Sequence, residues 1–289
     1  MKKFISSFLL SSVLMISGSS FGASDKVDAK FEAPAPLVAT HNAEFTERVA
    51  DVLAETDKDV GAVVTDGKTQ MVFVIDISGS MAVADEHPQG KAGEKGLLEA
   101  PWSRFDSAYA FVRYTARTIA EFDADGHIPV YFFGSDVKKV DVKVKDAKGS
   151  ITTAELLKAF RDHKPGGSTN LLGALNQAFS EQISALKADE RILFVCVTDG
   201  IPDSSPQSIH DAIKAGLTDK DAGGDRLNIL FVQAGKDEPA KAFLKGMDDA
   251  ADIGNNVDRK STKAAWEHGP KLMIANAFDE KLDGTFAND

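Results

Sequence analysis

Three short apolar runs constrain this chain more than anything else in it. They are Met71-Val72-Phe73-Val74-Ile75, Ile192 to Val197 and Leu227 to Val232, all rich in β-branched or aromatic residues and broken only by Asn228. A strand with one wet face alternates apolar and polar side chains, whereas a strand covered on both faces reads as a continuous run. Parallel sheets are covered in this way, because their crossover helices lie on both sides. Helical periodicity fills the intervals. Phe105, Tyr109, Val112, Ala116 and Ile119 share one face of a helix expected from about Trp102 to Phe122. Leu172, Leu175, Phe179, Ile183 and Leu186 mark a second, and further helices are expected near Pro206–Gly216, Pro239–Asp249 and Lys263–Phe278. Ile128 to Phe133 adds a strand with Pro129 near its start, where a missing N–H is tolerated. Val137 to Val144 alternates valine with charge, as an edge strand with one wet face does. The expected fold is therefore α/β: a doubly wound, mostly parallel sheet flanked by helices, with one antiparallel edge strand. In such sheets ligands bind in the crevice beyond the C-terminal ends of the strands.

The N-terminus reads differently. Met1-Lys2-Lys3 is a basic start, Phe4 to Ser17 an apolar and serine stretch, and small residues follow at Gly18, Ser19, Ser20, Gly22, Ala23 and Ser24. This is the layout of a secretory signal peptide, placed at residues 1–23. A cut after Gly22 puts Ser20 at the −3 position and suits the enzyme better than a cut after Ala23, which puts Phe21 there. An uncleaved N-terminal anchor is the other reading, although the run is shorter than the ~20 residues of a bilayer span. Residues 24–59 read as a linker, with Ala33-Pro34-Ala35-Pro36, followed by a helical extension carrying Phe45, Val49, Val52 and Leu53 on one side. The turn signal Asp66-Gly67 precedes the first buried strand, and the main domain is placed at 60–289. No later apolar run exceeds strand length, so no stable membrane span is expected after leader cleavage. The location implied is the periplasm or the exterior.

The formal net charge is −11, and becomes −13 once Lys2 and Lys3 leave with the leader. That balance disfavours phosphate backbones and anionic lipid, so no nucleic-acid partner is expected. The single cysteine, Cys196, rules out an internal disulfide framework and lies within an apolar strand, where an inert buried thiol is expected.

Chemistry concentrates at three loops. The first buried strand ends in Asp76-Ile77-Ser78-Gly79-Ser80, which places a carboxylate and two hydroxyls at alternate positions. A second strand ends in Thr198-Asp199-Gly200. Between them, Gly166-Gly167-Ser168-Thr169-Asn170 is a glycine-rich loop leading into a helix. All three fall at the same edge of a doubly wound sheet, and their oxygens are hard donors suited to Mg²⁺, Mn²⁺ or Ca²⁺ in preference to zinc or copper.

These loops occur in the order of the metal-ion-dependent adhesion site of von Willebrand factor A domains, and the chain from about residue 60 to 280 resembles that family. Phe122-Asp123-Ala124-Asp125-Gly126-His127-Ile128, Phe132-Phe133-Gly134 and Phe243-Leu244-Lys245-Gly246-Met247-Asp248-Asp249 resemble its tellurium-resistance-type and copine-type branch. The resemblance implies Asp76, Ser78, Ser80, Thr169 and Asp199 as the metal-site residues, with hydroxyls ligating directly and carboxylates often through water. It also implies a divalent cation, Mg²⁺ first, with Mn²⁺ or Ca²⁺ also suited. A protein partner would complete the ion's shell with an acidic side chain, making this a binding module and not an enzyme. The connection from Ala82 to Ala100 should lie beside the metal, so Asp85, Glu86 and His87 are candidates for partner contact.

Other chemistries lack their residues. His41, His87, His127, His163, His210 and His268 form no paired zinc motif, and there is no G-x-S-x-G elbow or Walker loop. Gly90 to Gly96 does not follow a strand. Asp123-Ala124-Asp125-Gly126 opens like a calcium loop, but Gly134 stands where the bidentate Glu belongs, so a helix-to-strand turn is expected. The enzyme alternative is a Mg²⁺-dependent phosphoester hydrolase with Asp76 as nucleophile. Ser78 occupies the position where such enzymes resemble D-x-D-x-T and use a second aspartate as acid and base.

Overall fold

The computed structural model describes residues 68–86, 101–120, 126–219, 226–278, 286 and 289, all within one compact unit. The expected leader, linker and N-terminal helix, the Asp66-Gly67 turn, His87 and most of the Asp123–Gly126 turn lie outside them.

Strand β1 (Thr69–Asp76) occupies the middle of a six-stranded sheet. Its apolar run is continuous because both faces are covered. Met71, Phe73 and Ile75 enter one core, while Val72 and Val74 enter the other. A short 3₁₀ turn at Gly79–Ala82 follows, and then a two-stranded antiparallel ribbon of β2 (Ala84–Glu86) and β3 (Trp102–Ser103). Helix α1 (Arg104–Ala120) begins directly after β3. Next come β4 (His127–Phe133), β5 (Val137–Lys143), α2 (Ala154–Asp162) and α3 (Leu171–Ile183). The second half runs β6 (Arg191–Thr198), α4 (Pro206–Leu217), β7 (Leu227–Gln233), α5 (Glu238–Asp248), β8 (Val257–Ser261), α6 (Thr262–His268) and α7 (Pro270–Asn276).

The sheet order is β5-β4-β1-β6-β7-β8. Every pairing is parallel except β4 with β5, so β5 is the antiparallel edge strand expected from its alternating valines. Helices α1, α2, α6 and α7 cover the face to which Phe73 points, and α3, α4 and α5 cover the other. From β1 the chain crosses to β4 on one side, whereas from β6 it continues to β7 on the other. The connections therefore diverge at the C-terminal ends of β1 and β6. That divergence opens the crevice where ligands bind in this architecture.

Local signals explain most boundaries. Asn170 caps α3 by accepting from Gly173 N, Ser205 caps α4 from Ser208 N, and Asp237 caps α5 from Ala240 N. Four features depart from expectation, the first being helix α2, for which no helix was expected. The single helix expected over Lys263–Phe278 is two, α6 and α7, parted at Gly269, whose φ of 85° ends one helix before Pro270 opens the next. The Ala82–Ala100 connection is not loop at its start, since Ala84–Glu86 pairs with Trp102–Ser103, and the helix expected from Trp102 begins two residues later, at Arg104. Strand β8 was not expected, because Asp258-Arg259-Lys260 breaks any apolar run.

Candidate metal site

Asp76 ends β1 fully buried, and the backbone turns sharply after it. Its Oδ1 accepts from the Ser78 backbone N–H at 2.6 Å, and its Oδ2 accepts from the Thr198 hydroxyl at 2.6 Å. Both partners are neutral. Burial raises the Asp76 carboxyl from its ordinary 3.8 to about 6, with hydrogen bonding from Thr198 and from the backbone and side chain of Ser78 pulling back and Asp199 pushing further up. A charged Asp76 thus lacks a cation among these partners.

From there a chain of oxygens runs across the crevice. Ser78 Oγ lies 3.1 Å from Ser80 Oγ, and Ser80 Oγ donates to Asp199 Oδ1 at 2.8 Å. Asp199 follows β6 and is itself buried. Thr169 joins from the glycine-rich loop. A Cβ added at Gly200 would lie 3.8 Å from Ser80 Oγ and 4.0 Å from Thr169 Oγ1, so both hydroxyls converge over that glycine. All five expected residues are brought together, three of them on the β1 loop and one on each of the other two.

Backbone contacts lock the loops to one another. Gly79 N donates to Gly167 O at 3.2 Å, Gly166 N to Ile77 O at 2.6 Å, and Asn170 N to Gly134 O at 3.0 Å. Thr169 is held on both sides of its peptide: its N–H donates to Asp203 Oδ2 at 3.1 Å, and its C=O accepts from Asp203 N at 3.0 Å. Gly134 must be small, since a Cβ there would lie 2.8 Å from Gly166 O.

Three contributors escaped the sequence reading. Thr198 and Asp203 sit beside recognised residues, in the runs that end at Asp199 and follow Gly200. Arg104 gave no comparable signal. Its Nη1 donates to Asp199 Oδ2 at 2.7 Å, while Nε and Nη2 donate to the two oxygens of Asp85 at 2.9 and 2.6 Å. It can reach because Gly235, with φ of 78°, lets its side chain pass where any Cβ would collide with the guanidinium.

The expected partner-contact residues separate. Asp85 reaches the rim of the crevice through Arg104. Glu86 is a correction: it is buried, not partner-facing, because donors from three other segments take up its carboxylate. Its carboxylate accepts from Gly235 N at 2.5 Å, Thr262 Oγ1 at 2.6 Å and Ser107 Oγ at 3.2 Å. His87 lies outside the described residues. Cys196 is buried, and burial pushes its thiol well above the ordinary value, as expected of an inert core cysteine.

Among the described residues no group of three or more His, Cys, Asp or Glu is placed to hold a metal. The candidate set is of another kind, two carboxylates and three hydroxyls. That donor chemistry fits a hard divalent cation, and the buried Asp76, whose hydrogen-bond partners among the described residues are neutral, fits a site that a cation would complete.

No family profile and no curated protein matches the chain. Solved structures that it resembles include a von Willebrand factor type A protein from Catenulispora acidiphila, at 17% identity and a TM-score of 0.47, covering 73% of this chain and 43% of that one. A mutant of the PilB minor pilin from Streptococcus sanguinis aligns at 13% identity and a TM-score of 0.49, over 77% of this chain and 63% of the pilin. The VWA domain of SpRpn10 aligns at 12% identity and a TM-score of 0.42, over 67% of this chain and 87% of that domain. The chain thus spans less than two thirds of the first two. At these scores the likenesses carry no argument about what the site does, and the architecture rests on the strand order itself.

Proposed function

We propose that this chain is an exported, metal-dependent binding module of the von Willebrand factor A type, which recognises a protein or another acidic ligand at the crevice between β1 and β6. Asp76, Ser78, Ser80, Thr169 and Asp199 would hold the ion, Mg²⁺ first, with Mn²⁺ or Ca²⁺ also suited. When bound, it supplies a positive centre with room for a carboxylate from the partner. The observation that carries this reading is the convergence of two buried carboxylates and three hydroxyls at the sheet's switch point, with Asp76 hydrogen-bonded to neutral groups among the described residues. Binding is favoured over catalysis because both oxygens of Asp76 accept hydrogen bonds, which holds the carboxylate in place instead of presenting it for attack.

Thermal unfolding tests this directly. An ion that binds the folded state alone stabilises it by about 2.7 kcal/mol at a hundred times its dissociation constant. The melting midpoint of the chelated protein is expected to rise with one of the three ions and to stay fixed in Asp76→Ala. A midpoint indifferent to all three would count against the metal role. Export is tested by N-terminal sequencing of the protein recovered from cells, which should begin near Ala23 or Ser24.

A further inference from the structure

Resting on that reading of the site, we propose that Arg104 is its resident counter-cation: it neutralises Asp199 and sets the charge against which the divalent ion binds. The geometry is specific. One guanidinium nitrogen is 2.7 Å from Asp199 Oδ2, on the opposite carboxylate oxygen from Ser80. The other two nitrogens clasp Asp85, and Gly235 leaves the space in which the guanidinium lies. The Arg104 side chain is 13% exposed and that of Asp199 is 0% exposed, so water screens their attraction weakly. A planar, permanently charged fork can satisfy two carboxylates at once in a way a lysine cannot.

The charge count has a consequence. Asp76, Asp85, Asp199 and, through the Thr169 peptide, Asp203 bring four negative charges, and Arg104 returns one positive. The cluster is left at a formal −3. Without Arg104 it stands at −4, which holds a cation more tightly and cancels more of the positive charge that would draw in an acidic ligand. Arg104 therefore weakens the grip on the ion and leaves it more attractive to a carboxylate. It acts through Asp199, as a positioning residue with a charge.

Calorimetric titration with Mg²⁺ and Mn²⁺ alone separates this from a purely structural brace. Arg104→Gln should bind the ion about fivefold or more tightly than wild type. Arg104→Lys, and Arg104→Gln combined with Asp85→Asn, keep the wild-type formal charge of the cluster and should stay within about twofold of wild type. A brace predicts the reverse, with both glutamine variants weakened. In chelator, Arg104→Gln should lower the melting midpoint, and adding Asp199→Asn should recover part of the loss, because no uncompensated buried carboxylate remains there. Weaker or unchanged ion binding by Arg104→Gln, or strictly additive midpoints, would overturn the proposal. Wild type that binds no ion would instead overturn the metal reading of the site, and the additivity of the midpoints would still decide whether Arg104 is the counter-ion of Asp199.

Discussion

At the scale of single residues, Asp76 sets the terms. Its carboxyl is raised to about 6 from 3.8, chiefly by burial. Between those values the folded chain holds a proton that the unfolded chain has released, so folding stability falls as pH rises from about 4 to about 6. The full difference is on the order of 2–3 kcal/mol at neutral pH. In chelator, wild type should therefore lose stability across this window relative to Asp76→Asn, which keeps an oxygen for Ser78 N and has no proton to lose. Parallel stability curves for the two proteins would contradict the burial argument. Gly134 offers a steric test. Gly134→Ala brings a Cβ against the Gly166 carbonyl, a backbone atom that cannot swing away. A loss of about 1–3 kcal/mol in denaturant unfolding is expected, with weakened ion binding because the Gly166–Asn170 loop must shift. The five candidate residues that the fold brings together were legible in the sequence because each belongs to a short motif at a strand end or helix entry. Arg104 was not, since its partners Asp85, Asp199 and Gly235 are distant in sequence and only the fold brings them together.

At the scale of elements, the β2–β3 ribbon matters more than its length suggests. Residues 85 and 86 alternate: Asp85 holds Arg104, and Glu86 turns inward to Gly235, Ser107 and Thr262. Adjacent strand residues thus tie the ribbon to the start of α1, the end of β7 and the start of α6. Glu86→Ala would leave three donors without their acceptor, at a cost of about 1–3 kcal/mol or more. Equilibrium unfolding should show that loss, and a stability unchanged within about 0.5 kcal/mol would mean the ribbon is dispensable. Sequence pattern misled here because the charge of Asp85-Glu86-His87 reads as a wet loop, and no local signal marks one carboxylate as buried. Strand β8 was hidden because its charges break any apolar run. Its Lys260 pairs with Asp258, and Arg259 donates to the Asp289 backbone oxygen, so side chains that the sequence presents as charged are buried with partners for some of their polar atoms. The break between α6 and α7 was legible in principle, because Gly269-Pro270 is a stop signal that the helical periodicity on either side outweighed. Helix α2, with Leu156, Ala159 and Phe160 packed inward, is too short for its period to stand out.

At the scale of the whole molecule, the central strands dictate the rest. The apolar runs of β1, β6 and β7 must be covered on both faces, which demands helices on both sides and hence crossovers that diverge somewhere. They diverge at β1 and β6, and β1 ends in Asp76 while Asp199 directly follows β6. The site is therefore where the topology leaves a crevice, and the sheet edge could be located before any motif was read. Among the described residues no helix is long and apolar enough to cross a membrane. The measurement that bears most directly on the account is calorimetric titration of the chelated protein with Mg²⁺, Mn²⁺ and Ca²⁺, alongside a folded Asp76→Ala, Ser78→Ala double variant. Saturable binding of one ion per chain to the wild type, absent in the variant, is the predicted result. A folded wild type that binds none of the three, or a variant that binds as well as wild type, would contradict it.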